Sequence, residues 1–276
     1  MDILFNQLLR NKFPDGMSTL DLSEYDYKDG QAVSVIASIR SYEDLVLLAQ
    51  LKDQLRQLGV TKTRLVLHYV LGSRMDRDGM IADNTTKVVC DLVNSMGFDS
   101  IAVAWGHSSS VIDRLNANIS SYAEFLFIVL GLNKILASLD LFTKSKFSLI
   151  LPDSGVAKRY WNYYNYRVAH MFPNIQVVEC GKRRDVQSGR LTDFVVPDCE
   201  VAGPAIIIDD LCDGGGTFCG LASKLREKGF DKVGLAVYHG IFSKGEDLPG
   251  IDCVYTSNSF RWIEPVGKVV GCLRVV

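Results

Sequence analysis

Three aspartates and three glycines fall within residues 209–217, in the run Ala205-Ile-Ile-Ile-Asp-Asp-Leu-Cys-Asp-Gly-Gly-Gly-Thr217. Asp209 and Asp210 are acceptors suited to the hydroxyls of a ribose or to a hydrated divalent cation. Asp213 is followed by Gly214, Gly215 and Gly216, which let successive backbone N–H groups turn toward one point, as a backbone does when it cradles a phosphate. Thr217 opens a helical segment, 217–228, whose positive end adds to that field. Residue types in this order describe a pocket for a sugar phosphate. The acids must then sit at the carboxyl end of a buried parallel strand, where open α/β folds bind their ligands. The apolar run 206–208, with no polar alternation, supplies such a strand.

The elements around this motif occur twice. Gly97-Phe98-Asp99 precedes an apolar strand and then His107, and Gly229-Phe230-Asp231 precedes an apolar strand and then His239, each His eight residues beyond its Asp. Upstream of each copy lies a helical segment, 85–96 and 217–228. Before each helix comes an apolar strand, 64–70 and 205–208, ending in a charged loop. A strand–loop–helix–strand unit used twice predicts an α/β fold with a mostly parallel sheet flanked by helices in each half. The expected boundary is near residue 140, between a helix over 120–139 and a strand over 147–151.

At 276 residues the chain is long enough for two such domains. Its 47% hydrophobic and 22% charged content is that of a soluble globular protein. A net charge of −2 provides no general attraction for nucleic acid or a membrane surface, so phosphate must be held by local groups. The seven cysteines form no C-x-x-C pair and read as reduced thiols of a cytoplasmic protein. The amino-terminal residues lack the pattern of a secretory signal. The most apolar stretch, 125–132, is too short to cross a bilayer and reads as a core helix.

The 209–217 motif resembles the signature of the PRPP-binding proteins, phosphoribosyltransferases and ribose-phosphate pyrophosphokinases. The duplication favours the pyrophosphokinases, which are built from two related phosphoribosyltransferase-like domains with the active site between them. On that resemblance, residues 1–140 form the ATP side and 141–276 the ribose-phosphate side. Phe13-Pro-Asp-Gly-Met17 resembles the family's adenine-binding segment, implying that Phe13 stacks on the base and that Asp15 lies beside it. Gly72-Ser-Arg-Met-Asp-Arg77 resembles a segment that contacts ATP and brings in Arg74, Met75 and Asp76. His107 sits where the family has a magnesium-contacting His next to ATP. Leu151-Pro-Asp-Ser-Gly-Val-Ala-Lys-Arg159 resembles a P-D-x-G-x-x-K-R segment, implying Asp153 as a second metal contact. Gly181-Lys-Arg-Arg-Asp185 resembles a basic loop that closes over the transition state, which makes Lys182 and Arg184 the expected catalytic residues.

The resemblance implies transfer of the β,γ-diphosphoryl group of Mg-ATP to the 1-hydroxyl of ribose 5-phosphate by a cytoplasmic homo-oligomer. Asp209 and Asp210 would hold the ribose and residues 213–217 its 5-phosphate. No G-x-x-x-x-G-K-[ST] pattern is present, so ATP must be held by other means. Several positions depart from the family. Met17 stands where Glu is common, Met75 for Gln and Trp105 for an acid before the His, and the chain ends at Leu273-Arg-Val-Val276, short of the usual last helix. Gly214 stands where relatives often have Thr, which removes a phosphate hydrogen bond and is expected to open space. A 5-phosphate bearing a substituent, as in ADP-ribose, is therefore the alternative acceptor. A non-catalytic regulatory subunit and a plain phosphoribosyltransferase are the remaining readings.

Overall fold

A computed structural model describes residues 1–23, 25–27, 30–75, 85–107, 109–163, 165–184 and 191–276. The chain divides into two compact units, Met1–Ser121 with Val275–Val276, and Tyr122–Arg274.

The first unit contains strands β1 (Asp2–Leu4), β2 (Arg10–Lys12), β3 (Ser18–Leu20), β4 (Val33–Ser38), β5 (Thr63–Tyr69), β6 (Ser100–Val103) and β7 (Asn118–Ile119). Its helices are α1 (Tyr42–Gln57), α2 (Thr85–Ser95) and α3 (Ser109–Arg114). The main sheet has the order β1-β4-β5-β6-β7, and every neighbouring pair is parallel. Its strands therefore add in one direction only. Helix α1 starts at a capping box, in which the Asp44 N–H donates to Ser41 Oγ and the Ser41 N–H donates to Asp44 Oδ2, both at 3.1 Å. Leu45, Leu48, Leu51 and Leu55 repeat at helical spacing and are buried in the core with β4 and β5. Asp44 also takes a 2.8 Å ion pair from Arg10, and Ser18 Oγ donates to Glu43. These contacts fix the antiparallel β2–β3 hairpin to the start of α1.

The second unit contains β8 (Phe147–Leu151), β9 (Ile175–Glu179), β10 (Gly181–Arg184), β11 (Leu191–Val195), β12 (Ala205–Cys212), β13 (Val233–Gly240), β14 (Cys253–Ser257) and β15 (Val269–Leu273). Its helices are α4 (Ser121–Ser138), α5 (Ser154–Tyr163), α6 (Asn165–Met171) and α7 (Gly216–Glu227). The main sheet, again all parallel, has the order β15-β14-β13-β12-β8-β9. From β8 the chain adds β9 on one side and β12 on the other. The order reverses between β8 and β12, and a reversal of this kind leaves a crevice beyond the carboxyl ends of the two strands. Every residue of β8, β12, β13 and β14 is buried, as the unalternating apolar runs require.

The division at residue 121 corrects the boundary expected near 140, which assigned α4 to the first half. Helix α4 is instead part of the second core. Phe127 packs its ring 5.0 Å from Tyr238 and 5.1 Å from Tyr255. The close approach is permitted by missing side chains: a Cβ on Gly131 would lie 2.8 Å from the Tyr255 ring, and one on Gly234 2.7 Å from Ile135. Among the described residues no helix is long and apolar enough to cross a membrane. All seven cysteines are free.

Candidate active site

The acidic pair lies inside β12 rather than after it. The strand continues through Asp209 and Asp210 to Cys212, because β13 keeps pairing with it as far as Cys212 and Gly240. Both acids are buried, and the Asp210 N–H donates to Asp209 Oδ1 at 2.8 Å. Burial pushes the Asp209 carboxyl well above the ordinary aspartate range, and the charges of Asp210 and then Asp153 push it the same way. Asp153 stands just past β8, on the other side of the strand-order reversal. Its Oδ1 caps α5, accepting from the N–H groups of Gly155 at 3.0 Å and Val156 at 3.1 Å. Asp209 and Asp210 thus lie near the carboxyl end of β12, at the switch point of the sheet, where Asp153 past β8 acts on Asp209.

Past Cys212 the chain turns through Asp213–Gly216 into α7. Gly215 is the N-cap, with φ +75°, a conformation that costs glycine nothing. A Cβ there would run into Leu248 Cδ2. Its N-cap glycine has no side chain to cap α7, and no acid lies in its first turn, so the helix turns its positive end toward the glycine turn. The Cys212 thiol is raised to about 12 by burial, which removes it as a nucleophile at neutral pH.

The expected space at Gly214 is not open. A Cβ there would meet the Lys244 side chain, 3.4 Å from Cδ and 3.5 Å from Cε. Gly216 is the open position, exposed and with nothing within 4 Å of a Cβ. Lys244 carried no sequence signal as a site residue; only the fold brings it to the turn. His239 was visible in the sequence as the partner of His107 in the repeat, without a role. It is buried in β13 opposite Leu211, and its Nδ1 lies 2.9 Å from Ser259 Oγ.

The remaining expected residues are distributed between the units. In the first, Phe13, Asp15 and Met17 form the tip of the β2–β3 hairpin, where the Phe13 N–H donates to Met17 O at 2.8 Å and the Met17 N–H to Asp15 Oδ1 at 3.0 Å. Phe13 is 51% exposed, so its ring face is free to stack. Arg74 and Met75 are exposed in a turn after β5, tied to α2 by Thr86 Oγ1, which donates to Met75 O at 2.7 Å. Asp76 lies outside the described residues. His107 is exposed, two residues after buried Trp105, whose φ of +53° is a strained conformation for a non-glycine. In the second unit, Lys182 and Arg184 belong to β10, paired antiparallel with β11 and bulged between Arg183 and Arg184. The sequence placed them in a closing loop; their backbone is a strand, and residues 185–190 lie outside the described residues. Among the described residues no group of three or more His, Cys, Asp or Glu is arranged to hold a metal ion. His107 and Asp153 belong to different units.

Two α/β units, each built on a parallel main sheet flanked by helices, define the class of this protein. No family model matches the chain. Curated relatives do: it is 27% identical to the ribose-phosphate pyrophosphokinase of Mycoplasmopsis pulmonis over 231 residues, 81% of this chain and 67% of the relative. It is 26% identical to that of Haemophilus influenzae over 273 residues, 96% of this chain and 82% of the relative. The crystal structure of the phosphoribosylpyrophosphate synthetase from Mycobacterium smegmatis has the same fold, with a TM-score of 0.70 at 18% identity over 97% of this chain and 86% of that one. The chain is thus similar over most of its length to ribose-phosphate pyrophosphokinases and shares the fold of a phosphoribosylpyrophosphate synthetase.

Proposed function

We propose that this protein is a pyrophosphokinase that moves the β,γ-diphosphoryl group of Mg-ATP to the anomeric 1-hydroxyl of ribose 5-phosphate and releases AMP. One observation carries the reading. A buried acidic pair at the switch point of a parallel sheet runs directly into a glycine turn and an uncapped helix N-terminus.

In this reading Asp209 and Asp210 accept hydrogen bonds from the ribose hydroxyls, and the N–H groups of residues 214–217 hold the 5-phosphate. The acceptor is thereby fixed at both ends, with its 1-hydroxyl free to attack the β-phosphorus. Such phosphoryl chemistry depends on positioning and on charge stabilisation. Lys182 and Arg184 neutralise charge on the transferred group and the leaving oxygen. Phe13 stacks on the adenine, and Arg74 grips phosphate oxygens. Asp153 would be a magnesium contact, its carboxylate oxygens being the hard donors that ion takes, with His107 of the first unit as the other expected contact. Magnesium bound there supplies charge neutralisation on the phosphoryl oxygens. The protein works in this reading as a soluble cytoplasmic homo-oligomer acting on small molecules.

A second acceptor, ADP-ribose, is favoured by the open face at Gly216, where a substituent on the 5-phosphate can leave toward solvent. Mass spectrometry after incubation with Mg-ATP and each acceptor separates the two. AMP with a diphosphate added to ribose 5-phosphate is the expected result; gain on ADP-ribose alone moves the assignment to the second acceptor. No AMP with either acceptor overturns both and leaves the regulatory subunit.

A further inference from the structure

The glycine turn is surrounded by negative charge. Asp209, Asp210 and Asp213 all lie within its approach, and Asp153 acts on Asp209 from the neighbouring strand. Ionised carboxylates there repel an entering phosphate. The N-terminus of α7 offers only about half a unit of positive charge. A cation is therefore needed, and the segment after β13 delivers one.

That segment is fixed onto the turn. The N–H groups of Ile241 and Phe242 both donate to Cys212 O, at 2.9 and 3.1 Å. Phe242 is buried with φ +47°, which swings the chain back over the turn. Arg261 ties the far side by donating to Glu246 Oε1 at 2.8 Å and to Phe242 O at 3.4 Å. Leu248 fills the place beside Gly215 that a Cβ would need, and Lys268 donates to Leu248 O at 3.1 Å. Between these anchors Lys244 lays its hydrocarbon stem against Gly214, in the place a larger side chain at 214 would occupy. Among the described residues its ammonium has no hydrogen bond or ion pair, and the side chain is exposed. The neighbouring cations Arg261 and Lys268 are both paired, with Glu246 and Asp247.

We propose that Lys244 is a phosphate-binding residue of the acceptor site. It reaches across Gly214 to the non-bridging oxygens of the phosphoryl group carried on the ribose 5-position. This rests on the reading of the turn as the 5-phosphate cradle. Gly214 is then glycine to admit the lysine stem, and the turn exchanges a neutral donor at 214 for a charged one. An ammonium adds a full positive charge that a hydroxyl lacks, so the exchange favours acceptors with more anionic charge at the 5-position. Because the ammonium faces solvent, its contribution falls as salt rises.

The test is calorimetric titration of the full chain with ribose 5-phosphate and, as control, unphosphorylated ribose, at low and high salt. Lys244→Met keeps the stem against Gly214 and removes the charge. It is expected to weaken ribose 5-phosphate binding about tenfold at low salt, to narrow the salt dependence, and to leave the thermal midpoint and ATP affinity unchanged. In turnover the loss is expected in KM for the acceptor rather than in kcat. The pair Lys244→Gly with Gly214→Thr restores a hydroxyl donor where the stem runs, and is expected to recover part of the affinity that Lys244→Gly alone loses. Wild-type protein that binds ribose 5-phosphate no better than ribose overturns the cradle and this inference together. Wild-type binding that depends on the phosphate but is matched by Lys244→Met within twofold overturns the role of Lys244 alone.

Discussion

The two units use the same strand–loop–helix–strand element and put it to different ends. In the first, β5 leads through the turn at Gly72 toward α2, within a sheet that grows in one direction only. In the second, β12 leads through the glycine turn into α7, beside β8, where the strand order reverses. The repeated histidines diverge with it. β6 stops at Val103 and leaves His107 exposed, whereas β13 runs to Gly240 and buries His239 within the sheet. In both copies a strained residue comes soon after the strand, Trp105 at φ +53° and Phe242 at φ +47°, and in the second it directs the chain over the glycine turn. The repeat alone does not make an acceptor site. In the proposed function the acceptor site arises where the repeat meets a switch point, because there the ends of two neighbouring strands part to admit a ligand.

The sharpest test of this division concerns the β10–β11 pair of the second unit, which carries the proposed catalytic residues. Lys182→Ala is expected to lower kcat by about a hundredfold or more with the thermal midpoint unchanged. A near-wild-type rate would remove β10 from the mechanism. Next, the two units should show opposite kinetic signatures. Asp210→Asn, in the second, is expected to lower kcat/KM for the acceptor by tens of fold, roughly the cost of one charge-assisted hydrogen bond. Arg74→Ala, in the first, is expected to raise KM for ATP with little change for the acceptor. Identical signatures from the two variants would break the comparison.

The two turns should also differ in rigidity. Gly215→Ala forces a left-handed alanine into Leu248 and is expected to cost about 2–3 kcal/mol of stability in a denaturant titration. Gly72→Ala has the same backbone problem at φ +74° but meets the Thr85 methyl, 2.9 Å away at the end of a side chain, so about 1–2 kcal/mol is expected.

The smallest effect is a difference of sign with pH. Asp209 is raised by burial and by its acidic neighbours, so the unfolded chain loses this proton first as pH rises. Stability should fall with pH from the ordinary aspartate range up to the raised folded value, and Asp209→Asn should flatten that fall. Asp99 behaves oppositely. The Thr63 N–H and hydroxyl, at 2.7 and 2.8 Å, hold it below the ordinary range. Its contribution is present above that range and is lost as pH drops through the lowered value; because Asp99 is exposed, less than about 1 kcal/mol is expected. Thermal midpoints against pH for the two Asn variants should therefore change slope in opposite directions.

Much of the fold was legible in the chain because it rests on local rules. The apolar runs of β8, β12 and β13 have no polar alternation, and that absence marks strands covered on both faces. The glycines at 97 and 229, both at positive φ, end their helices as the repeat implied. Other features were not legible because they depend on distant partners. β12 extends through the acids only because β13 offers backbone partners as far as Gly240. Helix α4 is apolar enough for either core, and the rings of Tyr238 and Tyr255, more than a hundred residues away, decide which.

By itself, then, the sequence determined the buried apolar strands and the helices of the repeated element, and the acidic pair followed by its glycine turn. Each is written in spacing and side-chain chemistry within one stretch of chain. The tertiary structure alone decided that Asp153 meets Asp209 across a reversal in strand order, and that Gly214 is filled by Lys244 rather than left open. Both juxtapositions join residues brought together by sheet order and long-range packing, which no local pattern records.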